Sequence, residues 1–118
     1  MTISVDPAPS GAPGFEAMRH AMVASQLRTS AVNDPRVVEA MARVPREAFV
    51  PDEVRAVAYR DTLLPLNAGR RHNSPLATGR LITAARVSAS DHVLLIGAAG
   101  GYAAAVLAQL ARSVVALE

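Results

Sequence analysis

Cysteine is absent from the 118-residue sequence, which excludes disulfides, thiolate metal sites and thiol catalysis. Lysine is absent as well, so all 12 basic residues are arginine. Aromatic residues are few: two Phe, two Tyr and no Trp. The arginines are scattered, apart from Arg70 and Arg71, and many stand close to acids. A nucleic-acid surface needs a concentrated basic footprint with stacking aromatics, so no nucleic-acid partner is expected. The formal charge is only +2, and the pI near 9.9 overstates how basic the surface is. Although 51% of residues are hydrophobic, no apolar run approaches the ~20 residues that cross a bilayer, and no membrane partner is expected. The opening "MTISVDPAPSGAPG" lacks the basic start and apolar run of a secretory signal, which makes a cytoplasmic location the expectation.

The length accommodates one domain at most. Residues 1–14, rich in Pro, Gly, Ala and Ser without periodicity, are expected to form a disordered tail. From Phe15 the spacing of Phe15, Met18 and Met22 predicts a helix continuing loosely to Leu27, with the methionines in the core. In "NDPRVVEAMARVPREAFVP", Asp34 is the expected N-cap and Pro35 the first helical residue. Val37, Met41 and Val44 then make one apolar stripe, and Pro45 ends the helix. A short third helix is expected after Pro51, and "RDTLLPLNAGRRHNSP" reads as an extended loop. Ser74 or Asn73 caps a further helix through "PLATGRLITAARV". "HVLLIG" is a continuous apolar run, the pattern of a parallel strand covered by helices on both faces. With a helix from about Tyr102 to Ala111 and the strand "SVVALE", it makes one β-α-β unit. The fold class is therefore α/β with an N-terminal helical extension.

The turn inside that unit carries the chemistry. A strand, a glycine turn and a helix start form an electropositive backbone pocket. Here the spacing is G-x-A-x-G, with Gly97 at the turn and Gly101 where the helix closes on the strand. About twenty residues later comes Glu118, placed either to accept hydrogen bonds from ribose hydroxyls or to serve as an ordinary strand-end acid. A nicotinamide-binding domain is the rival, but it commonly has its glycine turn near its start, whereas about 80 patterned residues precede this one.

The upstream segment narrows the choice. "QLR", "DPRVVEAMARVPREAFVP", "AYRDTLLPL" and "HVLLIGAAGGYAAAVLAQLA" are collinear from about Met22 to Glu118 with the protein-L-isoaspartate O-methyltransferase family, which this sequence resembles. The resemblance implies a Rossmann-like class I methyltransferase fold, with S-adenosylmethionine as cofactor. The implied reaction moves its methyl group to the carboxylate of an isoaspartyl residue in a damaged protein or peptide. The ester then cyclises to a succinimide that hydrolyses partly to normal aspartate. Carried over by position, Gly97, Ala99, Gly100 and Gly101 fall at the cofactor turn, Tyr102 on the aromatic residue that follows it, and Glu118 on the ribose-binding acid.

Three positions depart from the family pattern. Leu95 replaces an acid in the strand, and Ala99 replaces a turn glycine, where a methyl group disfavours positive φ. In the loop "GRRHNSP", Asn73 stands where the family's acceptor-side serine is expected. Asn73 offers two N–H donors to a carboxylate. Ser74 takes that role if the loop shifts by one residue, and otherwise caps the helix before Pro75. The catalytic candidates are thus Asn73 and Ser74. Arg70 and Arg71 either attract an anionic acceptor or form a solvated pair, and His72, distant in sequence from His20 and His92, suggests no metal site. Because a doubly wound half-fold needs three strands, the sheet is expected to be truncated after its first β-α-β unit, as the N-terminal part of a longer enzyme. A catalytically silent relative that binds a nucleoside or a partner protein is the alternative, favoured by Leu95, Ala99 and Asn73.

Overall fold

The computed structural model describes residues 14–30 and 32–118. The expected tail over 1–14 lies, apart from Gly14, outside the described residues.

Helix α1 spans Phe15–Met22 and runs on through a π-helical turn, Val23–Leu27, and a 3-10 turn, Arg28–Ser30. The loosening has a local cause. Ser25 donates its hydroxyl to the Ala21 carbonyl and Thr29 to the Ser25 carbonyl, a back-bonding that competes with the regular ladder. Helix α2 spans Pro35–Arg43, capped as expected by Asp34, whose carboxylate accepts from Arg36 N at 3.0 Å. Val37, Met41 and Val44 are buried, as the stripe predicted. The Arg36 guanidinium donates to the carbonyls of Val87 at 2.7 Å and Leu110 at 2.8 Å, tying α2 to the later half of the chain.

After Pro51 the chain forms a 3-10 segment, Asp52–Val57, rather than an α-helix. Six residues repay little of the cost of α nucleation, and Ala58 and Tyr59 must turn inward at once. The stretch read as an extended loop contains a small hairpin. Strand β1, Leu64–Pro65, pairs antiparallel with β2, Arg71–His72, in the register Leu64 to His72. A turn through Asn67–Gly69 closes it, with Leu66 N donating to Arg70 O at 2.7 Å. Helix α3 spans Pro75–Ala85 with Ser74 as its cap, and it ends before the expected Val87 because Arg86 turns left-handed at φ 52°.

Strand β3, His92–Ile96, helix α4, Tyr102–Ala108, and strand β4, Ser113–Leu117, form the expected β-α-β unit, with Leu94 beside Val115 in a parallel register. Helix α4 stops short of the expected Ala111, and Leu110 beyond it is buried. Val93, Leu95 and Val114 pack on a core built around Met22, Leu27, Met41, Tyr102 and Val106. The other face differs from expectation: Leu94, Ile96, Val115 and Leu117 are 58%, 73%, 58% and 51% exposed. Among the described residues, helices cover one face of the sheet. No described helix is long and apolar enough to cross a membrane.

Candidate cofactor and acceptor site

The turn between β3 and α4 is built from backbone conformations that few residues tolerate. Gly97 has φ +79°, Gly101 φ +95°, and between them Ala99 has φ +51°. Left-handed backbone costs an L-residue about 1–2 kcal/mol, so the alanine carries local strain at this point. Gly97 N and Ala98 N donate to Leu117 O at 2.8 and 2.9 Å, which fixes the turn to the end of β4, next to Glu118. Gly100 is demanded by space. A Cβ there would lie 2.6 Å from the Phe49 carbonyl oxygen, so the turn packs directly on the backbone of the Arg46–Phe49 segment.

Two cavities meet at this turn. The larger, about 490 Å³, is lined by Phe49, Leu66, Arg70, Ala99, Gly100 and Glu118, among others. The smaller, about 50 Å³, is lined by His72, Asn73, Thr78, Ala99, Gly100 and Tyr102, among others. Ala99 and Gly100 line both, so the two cavities adjoin at the turn. A third cavity of about 530 Å³, between His20, Arg28 and Glu39, touches none of the predicted site residues, so volume alone does not select the site.

Of the predicted residues, Ala99, Gly100 and Glu118 stand together in the larger cavity, and Asn73 opens on the smaller one. Gly97 and Gly101 shape the turn rather than line it. Tyr102 is buried and faces the smaller cavity, its ring 5.2 Å from the His72 ring and 6.1 Å from that of Phe49. Ser74 spends its hydroxyl on the α3 cap, accepting from Ala77 N at 3.2 Å. Leu95 lies on the core-facing side of β3. The Glu118 carboxylate is held by the Arg70 guanidinium.

Sequence reasoning missed Arg46. It is fully buried, at 0% exposed, in a segment read only for its helix stop. Its Nε donates to the Ala58 carbonyl, one terminal nitrogen donates to Asn73 O at 2.7 Å, and its carbon centre lies 5.1 Å from the middle of the Tyr102 ring. Burial lowers its pKa from the ordinary arginine value, and the Tyr102 phenol opposes that. The signal was the apolar frame: Val44 and Pro45 before Arg46, Phe49 and Val50 after it. His72 was underrated too. Its Nδ1 lies 3.0 Å from Asn73 O, which assigns the proton to Nδ1. Burial, reinforced by the Arg46 charge, pushes His72 down to about 4, and burial pushes Tyr102 up to about 12. Among the described residues His72 Nε2, Tyr102 OH and one terminal nitrogen of Arg46 are buried without hydrogen-bond partners.

The profile of the family described as protein-L-isoaspartate(D-aspartate) O-methyltransferase (PCMT) matches residues 17–117. The chain belongs to this family. It is 44% identical over 112 residues to protein-L-isoaspartate O-methyltransferase 1 of Rhodopseudomonas palustris strain HaA2, covering 95% of this chain and 46% of that protein. It is 45% identical over 115 residues to the protein-L-isoaspartate O-methyltransferase of Synechococcus sp. strain JA-2-3B'a(2-13), covering 97% of this chain and 47% of that one. The chain thus spans about half the length of the curated relatives it matches. A solved protein-L-isoaspartate O-methyltransferase superposes with a TM-score of 0.75 at 23% identity, over 85% of this chain and 33% of that one. A second solved structure, described as a beta-aspartate methyltransferase (PCMT) from Plasmodium falciparum in complex with S-adenosyl-L-homocysteine, superposes with a TM-score of 0.66 at 18% identity, over 91% of this chain and 50% of that one. Both establish the Rossmann-like α/β fold of the methyltransferase family, of which this chain carries the β-α-β unit and the helices before it.

Proposed function

We propose that this chain contributes the cofactor and acceptor sites of an S-adenosylmethionine-dependent methyltransferase that esterifies isoaspartyl carboxylates in damaged proteins. One observation carries the reading: two cavities adjoin at Ala99 and Gly100, with Glu118 in one and Asn73 in the other. The larger cavity falls in the ordinary volume range of small-ligand sites, and it combines apolar walls with one carboxylate. That donor set fits an adenosine-bearing ligand, and the Plasmodium falciparum neighbour is described with S-adenosyl-L-homocysteine.

When bound, S-adenosylmethionine supplies an electrophilic methyl group. The chain's own residues do the rest. Glu118 accepts hydrogen bonds from ribose hydroxyls, and Phe49 and Leu66 provide apolar cover. The glycine turn lets backbone approach the ligand without side chains in between. From the adjoining smaller cavity, the Asn73 amide donates to the acceptor carboxylate. A carboxylate with a pKa of about 4 is ionised at neutral pH, so no side chain has to remove a proton. Rate enhancement then comes from holding the carboxylate in line with the methyl group, which in favourable systems contributes about 7–11 kcal/mol.

The second reading is a relative that binds the nucleoside but transfers no methyl group. Ala99 in left-handed backbone and Glu118 already paired with Arg70 favour it. Isotopically labelled S-adenosylmethionine and an isoaspartyl peptide separate the two. Cofactor binding with base-labile label on the peptide supports the methyltransferase. Binding without labelled ester supports the silent relative, and no binding removes both.

A further inference from the structure

Arg70 and Glu118 come from distant parts of the chain and line one cavity. The backbone of Arg70 is braced: its carbonyl accepts from Leu66 N at 2.7 Å, its N–H donates to Asn67 O at 3.3 Å, and Gly69 before it holds φ +76°. A rigid turn therefore aims a guanidinium at the carboxylate that a ribose would need. Both side chains remain partly exposed, at 39% and 52%, so the pair is open to exchange rather than locked in the core. From the same hairpin, β2 leads directly to Asn73. Asn73 lies three positions after Arg70, a span of at most about 11 Å. Because both cavities are lined by Ala99 and Gly100, a guanidinium released from Glu118 lies beside the smaller one, where an anionic acceptor would dock.

We infer that Arg70 is an exchanging cation that occupies Glu118 until a nucleoside's ribose displaces it, and then turns to the acceptor's carboxylate. This rests on the cofactor reading proposed above. Two consequences oppose each other in sign. Arg70 weakens nucleoside binding, because the ligand must break an ion pair. Arg70 also couples the two sites, because nucleoside binding frees a positive charge for the anionic substrate. Coupling of this kind is reciprocal: each ligand strengthens the other by the same factor. An exposed ion pair is a modest interaction, equivalent to roughly a 1.4- to 5-fold change in affinity.

The test uses the 118-residue chain, with S-adenosylhomocysteine and an isoaspartyl hexapeptide as probes, followed by amide chemical shifts in wild type, Arg70→Ala and Arg70→Gln. Amide spectra also verify that both variants keep the fold. At 25 mM salt both variants should bind S-adenosylhomocysteine about two- to fivefold more tightly than wild type. At 500 mM salt, where the screening length falls to roughly 4 Å, the difference should close. In wild type the nucleoside should tighten peptide binding by a similar factor, and in both variants that coupling should vanish. Equal or weaker nucleoside binding by the variants at low salt would overturn the proposal, as would coupling that survives without Arg70. If neither wild type nor the variants bind the nucleoside at any salt, the cofactor reading itself fails and takes this inference with it. Binding by the variants alone would overturn the exchange, since a complete block exceeds what an exposed ion pair supplies.

Discussion

The Arg46 guanidinium donates to the main-chain carbonyl of Asn73, 27 residues away, at 2.7 Å. It also holds the Ala58 carbonyl and lies over the Tyr102 ring, so one buried cation joins the loop before α3 to the helix that follows the glycine turn. Replacing it with Met leaves the Ala58 carbonyl without its donor, at about 1–3 kcal/mol, and leaves Asn73 O with His72 Nδ1 alone. Arg46→Met should lower the urea midpoint accordingly. Arg46→Lys keeps the charge but cannot fork to both carbonyls, and should fall between Met and wild type. An unchanged midpoint for Arg46→Met would show that the fork adds nothing to stability.

Neighbouring positions in the turn should respond in opposite directions. Gly100→Ala drives a methyl group into the Phe49 carbonyl and should cost about 1–3 kcal/mol, with a smaller larger cavity as the structural result. Ala99→Gly relieves a left-handed residue and should raise the thermal midpoint by a few degrees, since the ~1–2 kcal/mol of strain exceeds the added chain entropy of glycine. Thermal melts of the two variants side by side check both signs. A lower midpoint for Ala99→Gly would contradict the strain.

His72 makes stability depend on pH. In the fold it titrates at about 4, and unfolded at its ordinary 6.5, so between these values the unfolded chain binds more protons. Stability should therefore be full above pH 6.5 and fall as pH drops to 4, by roughly 2–3 kcal/mol. His72→Gln removes the group that titrates, and its stability should vary less across this window. Denaturant midpoints from pH 7 to pH 4 test this, and parallel curves for both proteins would assign the acid loss elsewhere.

The loop before α3 yields a pair of substitutions. The Asn73 side chain is exposed while its carbonyl is anchored by Arg46, so Asn73→Ser changes the donor without moving the loop. Under the proposed function, Asn73→Ser should raise the rate of peptide methylation and leave nucleoside affinity almost unchanged. Ser74→Ala removes the α3 cap, and should cost about 1 kcal/mol of stability with little effect on the reaction. Loss of methylation in Ser74→Ala, with no change in Asn73→Ser, would make Ser74 the working hydroxyl.

Much of this architecture was legible because its signals are local. Asp34-Pro35 and Ser74-Pro75 are cap-and-proline pairs whose geometry is set within four residues, and both caps form. Gly97 and Gly101 mark backbone that other residues avoid, and both have positive φ. What was not legible depends on partners far along the chain. Arg46 and His72 carry polar side chains that ordinarily face water, and only the joint packing of Ala58, Asn73 and Tyr102 explains their burial. The Arg70–Glu118 pair spans 48 residues, and no periodicity announces it. The β1–β2 hairpin was missed because two-residue strands leave no alternation to read.

The uncovered side of the β3–β4 sheet sets how this chain behaves among its own copies. Leu94, Ile96, Val115 and Leu117 form an oily strip bordered by open strand edges, while a net charge of +2 gives little mutual repulsion. Colloidal stability should therefore rest on dilution and low salt. Light scattering should grow with protein concentration and with added sulfate, and a Lys at Ile96, the most exposed of the four, should suppress that growth while leaving the two cavities beyond the turn intact.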